Sequence, residues 1–437
     1  MFQRLSARFP ASQAFRALLS NSVWMFAEKV ARLLLGLTVG AWVARHLGPG
    51  LYGELAYTLA FIAFFQAAAA LGLDGILVRE LSQARRSDGS LLGTVVSLRI
   101  VAGIIGWFIA VAISITAEGG LTEQAVLVVI AGAVLVFQPA DCIDLWFVSQ
   151  SDARSSAQAR LVANVLGYGF KIVLILVDAP TSAFIAAFVL DAVLAASILW
   201  VAYRTRPTQT RWTFSGQLAI ALLRESWPLL IGAISVIVYM RIDQMMIKSM
   251  LGTEQLGIYA AVLPLATLWT LIPMTLNASL APMVARKKME SEAAYQHLMG
   301  TIFRAYGALG WVLFGLSAVA AYVLVPILFG SAYVDGIAPV MLYGLTNLFI
   351  TLGTAQSLWV LNERRPMITL NKALLGAAAC VGLNLLLIPM AGLMGAALSA
   401  VLAQCVSTVA SNIVLAPKIF KHQVRSLLLL PHRPIST

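Results

Sequence analysis

Charge is scarce in this chain. Of 437 residues, 30 are basic and 19 acidic, so only 11% are charged, against roughly 25% in soluble domains. That leaves too little polar side chain to coat one or two water-facing cores, which excludes a soluble enzyme. The 60% hydrophobic content excludes a disordered chain. Cysteine is nearly absent: Cys142, Cys380 and Cys405 lie in apolar runs and form no spaced pair, so neither a disulfide framework nor a thiolate metal site is indicated. His46, His297, His422 and His432 are scattered, which argues against a histidine metal site or a Ser-His-Asp arrangement. Cofactor motifs also fail. LGPGLYG (47–53) has the glycine spacing of a phosphate loop, but Glu54 stands where lysine is needed. Gly167 and Gly169 lack the third glycine of a dinucleotide fingerprint. Asn277-Ala278-Ser279 is a glycosylation acceptor placed in an apolar run, not in the exposed loop that the modification needs.

What is present is apolar length. A membrane span takes about 20 apolar residues, and the runs between charge and turn clusters predict twelve helices. Their limits are 21–46, 52–73, 91–116, 121–147, 157–177, 181–203, 226–250, 255–284, 298–328, 337–361, 367–388 and 392–417. With the N-terminus in the cytoplasm, 22 basic residues of the connections and tails fall on that side and two, Arg45 and Lys248, on the other. This positive-inside bias predicts cytoplasmic termini and accounts for the net charge of +11 by topology, without nucleic acid. The first run is too long for a signal-peptide core and is expected to stay as an uncleaved span. The stretches 79–90 and 286–297 mix charge with Leu or Met, as interfacial helices and plain solvated connectors both do.

The chain also repeats itself. Leu47, Gly48 and Gly53 recur as Leu251, Gly252 and Gly257; Trp24 and Trp227 open spans one and seven; Trp146 and Trp359 close spans four and ten. Each LGxxxxG is followed by an apolar span and then a basic connector, LVRELSQARR or LAPMVARKKM. Two six-helix lobes are therefore expected, 1–204 and 226–437, joined by a cytoplasmic linker over 205–225. Six is even, so the lobes form a parallel repeat about an axis along the membrane normal, an arrangement suited to alternating access. Gly36 and Gly40 have the small-xxx-small spacing of close helix packing.

Ionisable residues inside spans are costly and point to function. Six bases qualify, Lys29, Arg32, Arg99, Lys171, Arg241 and Arg304, with five acids, Glu28, Asp141, Asp144, Asp191 and Asp243. Depth along the helices places Arg99 within reach of Asp141, and Lys171 within reach of Asp191. Asp141 and Asp144 share a helix face, which suits structural pairing or a proton or sodium site. Glu28 and Arg32, at i and i+4, have salt-bridge spacing, which leaves Lys29 without a local partner. Arg241, Gln244 and Lys248 form one stripe, whereas Asp243 faces elsewhere. The stripe suits an anion path, or snorkelling with an interlobe bridge; the shallow Arg304 suits snorkelling.

The segment 21–82, with ARHLGPGLYG and LGLDGILVRE, resembles the opening of Wzx-type polysaccharide flippases. YMRIDQMMIKSMLGTEQLGIYAAV (239–262) is similar to their seventh-span signature, and LNLLLIPMAGLMGAALSAVLAQ (383–404) to their last two spans. The resemblance implies an all-α integral membrane protein of the multidrug, oligosaccharidyl-lipid and polysaccharide exporter superfamily, a V-shaped alternating-access transporter and not an enzyme. Its cargo would be an undecaprenyl-pyrophosphate-linked oligosaccharide, moved from the cytoplasmic to the periplasmic leaflet of a bacterial inner membrane for O-antigen or exopolysaccharide synthesis. No cofactor is implied; partners would be the lipid-linked oligosaccharide, membrane lipid and a polysaccharide polymerase complex. Cavity arginines of the family carry over to Arg32 and Arg241. The expected substrate-facing set is thus Lys29, Arg32, Arg241, Gln244, Lys248 and Arg304, and the expected ion-coupling set Glu28, Asp141 and Asp243. The rivals are a drug or cation antiporter of the same superfamily, which would want an acidic cavity, a lipid II flippase, and a membrane polymerase or ligase, which would want a large periplasmic loop.

Overall fold

A computed structural model gives the fold, described here over residues 11–83, 88–150, 152–206 and 211–430. Arg4, Arg8, Arg85, Arg86, His432 and Arg433, together with 207–210 of the expected linker, lie outside the described residues. Every regular element among the described residues is a helix. Ten of these helices or helix runs are long and apolar enough to cross a membrane. Two of the ten are broken at a glycine, and each carries two of the predicted spans. Helix α1 (Ala11–Ala69) breaks at Gly48, whose φ of 71° precedes Pro49. A later helix, Pro366–Cys405, breaks at Gly392, with φ 56°, after Pro389. A positive φ is costly for any residue with a Cβ, so glycine separates spans one and two, and eleven and twelve.

The chain divides into two compact units, Met1–His46 with Thr58–Ile234, and Leu47–Tyr57 with Ser235–Thr437. The boundary falls at 234 and not within 205–225, and eleven residues from the first half, 47–57, belong to the second unit. In the first unit α1 is followed by α2 (Asp74–Gln83), α3 (Asp88–Glu118), α4 (Glu123–Gly132), α5 (Val134–Phe137), α6 (Asp141–Ser149), α7 (Ala153–Leu176) and α8 (Thr181–Arg204). Helix α9 (Gly216–Leu251) starts ahead of the predicted 226 and absorbs much of the expected linker. The second unit continues with α10 (Thr253–Val262), α11 (Pro264–Thr267), α12 (Leu271–Glu290), α13 (Glu292–Leu324), α14 (Ile337–Tyr343), α15 (Thr346–Asn362), α16 (Pro366–Cys405), α17 (Asn412–Leu415) and α18 (Pro417–Leu427).

Each unit has its own core. Leu77, Leu91, Leu92, Phe147 and Leu199 are buried in the first together with Trp146, whose indole donates to Asp88 Oδ2 at 3.2 Å. Val284, Tyr295, Phe303 and Leu352 are buried in the second together with Trp359. Of the tryptophans that repeat in sequence, Trp146 and Trp359 are thus core residues of the two units, whereas Trp227 is exposed. Outside the cores, α3 exposes Val101, Ile105, Phe108 and Ile109. So much exposed apolar surface on a helix requires lipid as its solvent, and the protein is a multi-pass membrane protein.

Two local features bear on function. Within the second unit, the two LGxxxxG segments meet backbone to backbone. A Cβ on Gly53 would lie 1.9 Å from the Thr253 carbonyl oxygen, and one on Gly257 would lie 1.8 Å from that of Pro49. Neither position has room for a side chain. Past the last span, α18 is strongly amphipathic: Ile419, His422, Gln423 and Ser426 are buried, while Lys418 and Lys421 are exposed. Its His422 ring stacks on Phe303 with centroids 5.8 Å apart, and Trp311 donates to the Leu427 carbonyl at 3.0 Å.

Candidate transport site

The first unit holds a polar cavity of about 290 Å³, lined by Glu28, Lys29 and Arg32 of α1, Asp144 and Val148 of α6, and Ala153, Ser156, Ala157 and Arg160 of α7. The spacing of Glu28 and Arg32 yields the expected bridge, at 3.7 Å. Glu28 is buried and also accepts from Asn164 Nδ2 at 3.3 Å. Across the cavity Arg160 donates from Nη2 to Asp141 Oδ1 at 2.9 Å and to Asp144 Oδ2 at 2.8 Å. The Ser156 hydroxyl donates to Asp144 as well. Each lining carboxylate is thus engaged by an arginine. Lys29, Arg32 and Arg160 meet Glu28, Asp144 and the adjoining Asp141, so the charges balance, and among the described residues Lys29 is the cation of this group that makes no ion pair.

Two depth-based pairings have different outcomes. Arg99 does not reach Asp141: it pairs with Asp74 at the start of α2, at 2.6 Å, and Arg160 takes Asp141. Depth fixes height in the bilayer, whereas the pairing depends on which way each helix face turns. Lys171 does pair with Asp191, and its ammonium sits 4.1 Å from the Phe188 ring centroid and 4.9 Å from that of Tyr168, a cation–π cradle. Replacing Lys171 by Met would leave Asp191 unpaired, at a cost of about 3 kcal/mol. The double variant Lys171→Met/Asp191→Leu is expected to recover most of the lost melting temperature, and a double variant no better than the single one would argue against the pair.

In the second unit the stripe on α9 is only partly open. Arg241 is exposed and donates to Gln244 Oε1 at 3.4 Å, but Gln244 is itself buried. Lys248 lies over the Tyr57 ring, 3.7 Å from its centroid, held by the 47–57 segment. Asp243 faces away from the stripe, as its helical angle requires: it is 2% exposed and accepts from Tyr259 Oη at 2.9 Å. Arg304 is exposed on α13. Two charged residues of consequence were read as connector cations. Arg160 lies two turns inside α7. Lys372 lies inside α16 and donates to Gln356, whose amide exchanges hydrogen bonds of 2.9 Å with Asn412. Gln423 of α18 joins the same cluster, at 3.2 Å from Gln356 Oε1. The signal for both was their position inside the predicted spans 157–177 and 367–388, where an ionisable residue points to function.

A family model described as polysaccharide biosynthesis protein matches residues 18–288, more than half of the chain. The chain belongs to this family. No curated protein matches it in sequence. Among solved structures, a lipid II flippase, MurJ, in an inward closed conformation aligns with a TM-score of 0.70 at 14% identity, over 93% of this chain and 90% of that one. An inward-facing multidrug resistance MATE transporter of the MOP superfamily aligns with a TM-score of 0.65 at 16% identity, over 93% of this chain and 98% of that one. A MOP superfamily transporter from Pyrococcus furiosus, distinguished by the reverse polarity of its binding pocket, aligns with a TM-score of 0.55 at 16% identity, over 94% and 96% of the two chains. This member of the polysaccharide biosynthesis family therefore carries the fold of MOP-superfamily transporters.

Proposed function

We propose that the protein is a flippase that carries an undecaprenyl-pyrophosphate-linked oligosaccharide repeat unit from the cytoplasmic to the periplasmic leaflet of a bacterial inner membrane, by alternating access of its two repeat halves, with both termini cytoplasmic. The observation that carries this reading is the polar cavity of Lys29, Arg32 and Arg160, with Lys29 left over by the acids that engage the two arginines, inside a unit whose outer faces are apolar. A diphosphate and its sugars cannot cross hydrocarbon unaided, because each unpaired polar or charged group costs several kcal/mol. A cavity with a cation beyond those its own acids engage supplies the missing counter-charge, while the polyprenyl tail stays in lipid. Outward movement of an anion also follows an inside-negative potential, by about 2.3 kcal/mol per charge per 100 mV. Glu28 and Asp141 are engaged by arginines, which favours their role as tuners of cavity charge; Asp243, buried beside Tyr259, is the candidate for ion coupling. Arg241 and Arg304 supply cations on the second unit. A polymerase complex is the natural receiver of the product.

The test is leaflet translocation of a fluorescent polyprenyl-diphosphate oligosaccharide in proteoliposomes. Lys29→Gln/Arg32→Gln is expected to slow flipping about tenfold or more, the loss of one or two charge-assisted contacts. Failure of well-folded wild type on several glycans, with and without ion gradients, would sink the reading and direct attention to organic-cation export.

A further inference from the structure

The first unit has a second concavity, of about 440 Å³, lined by Trp42, Arg45, His46 and Ile175. Trp42, Arg45 and His46 stand at i, i+3 and i+4, so one face of α1 presents an indole, a guanidinium and an imidazole just before the break at Gly48. The His46 ring meets Phe184 with centroids 5.7 Å apart, and its Nδ1 lies 3.6 Å from the exposed Asp178 carboxylate. Packing against the Phe184 ring sets the orientation of the imidazole. Trp42 is 46% exposed.

Arg45 is out of place on charge bias alone. The basic residues of the connections gather at the other ends of the spans, and only Lys248 shares its expected side. Lys248 lies over the Tyr57 ring, and Arg45 lines this cavity. A guanidinium beside an oriented imidazole matches the geometry of phosphate oxygens, and an exposed indole supplies a flat apolar face for a sugar ring or a prenyl unit.

We propose that this pocket is a receiving site for the diphosphate of a lipid-linked glycan at the exit end of its path. This rests on the flippase reading given above. Arg45 and His46 take the phosphate oxygens, and Trp42 takes the adjoining apolar group. The polar cavity and this pocket then form two stations along α1, about 20 Å apart at 1.5 Å of rise per residue.

The experiment measures binding to the purified protein in phosphatidylcholine nanodiscs, in a Lys29→Gln/Arg32→Gln background that removes two cations of the first cavity. The probes are farnesyl diphosphate, inorganic pyrophosphate and phosphatidylglycerol, and the added variants are Arg45→Gln, Arg45→Lys, His46→Gln and Trp42→Leu, each checked for an unchanged melting temperature. Arg45→Gln and His46→Gln are expected to weaken farnesyl diphosphate about tenfold each, Arg45→Lys less, and Trp42→Leu is expected to weaken farnesyl diphosphate but not pyrophosphate. Dependence on Arg45 and His46 seen for pyrophosphate but not for the lipid, or for phosphatidylglycerol as strongly as for the diphosphate, would overturn the assignment in favour of a free-phosphate or a bulk-headgroup site. Affinities indifferent to all four substitutions would overturn the pocket itself. If wild type flips lipid-linked glycan while the probes ignore Arg45 and His46, the pocket fails and the flippase reading stands; if the probes respond and no glycan is flipped, the reverse holds.

Discussion

Gly257→Ala is expected to destabilise the protein by about 3 kcal/mol and to lower its melting temperature in detergent, with Gly53→Ala close behind. The methyl group on Gly257 would lie 1.8 Å from the Pro49 carbonyl oxygen and 3.0 Å from the Gly53 nitrogen. Both atoms are backbone, so no side chain can rotate aside; the 47–57 segment must lift from α10. Gly50→Ala is the control, because a Cβ there meets nothing within 4 Å, yet it shares the same short segment. Equal melting of Gly257→Ala and Gly50→Ala would show that the close approach is not needed. The expected defect is local in origin: Lys248 and Tyr57 lose their contact as the segment lifts, so Tyr57→Leu is expected to weaken the same region by less, about 1 kcal/mol, the size of a partly desolvated cation–π contact.

Arg160→Leu is the second large effect. It removes the one cation that engages both Asp141 and Asp144 and leaves two carboxylates together in a membrane-spanning unit. Asp141 is partly exposed and Asp144 keeps the Ser156 hydroxyl, so the loss costs roughly 1–3 kcal/mol. Neutralising the acids along with it, as Arg160→Leu/Asp141→Asn/Asp144→Asn, is expected to restore the fold but not transport, because the cavity would have lost a cation that the cargo uses. Thermal melting reads the first half of this statement and leaflet translocation the second. A triple variant that flips at the wild-type rate would place Arg160 in the scaffold and outside the path.

Much of the fold was legible because lipid imposes a simple rule: each span must be long and apolar, and the breaks must be glycine, proline or charge. Gly48 and Gly392 ended their spans for that reason, and the LGxxxxG repeat marked two segments that touch. Pairings across helices were less legible. Lys171 and Asp191 were found from depth because α7 and α8 are neighbours in sequence and antiparallel hairpin partners lie side by side. Arg99 was misassigned because Asp74, its partner, lay in a stretch read as connector. Arg160 and Lys372 escaped for another reason: they lie inside the predicted spans 157–177 and 367–388 but near their ends, where a long basic side chain is expected to snorkel to the interface. The α18 helix was equally hidden, since its three basic residues, Lys418, Lys421 and Arg425, satisfy the charge bias whether or not they fold. The cavity itself was half visible, its α1 wall from the Glu28, Lys29 and Arg32 cluster and its α7 wall not at all.

The assignment of 47–57 to the second unit bears on how the chain is made. Those eleven residues leave the ribosome early, but the backbone they dock on, Thr253 to Gly257, is synthesised about 200 residues later. During translation the segment has no partner, and the contact closes only when the seventh and eighth helices have been inserted. Contacts of such long sequence separation form late. The two halves are therefore not independent products of one gene. A C-terminal fragment begun at 216 would enter the membrane with its docking surface on α10 bare, whereas coexpression with a fragment ending at 206 would return the missing segment in trans.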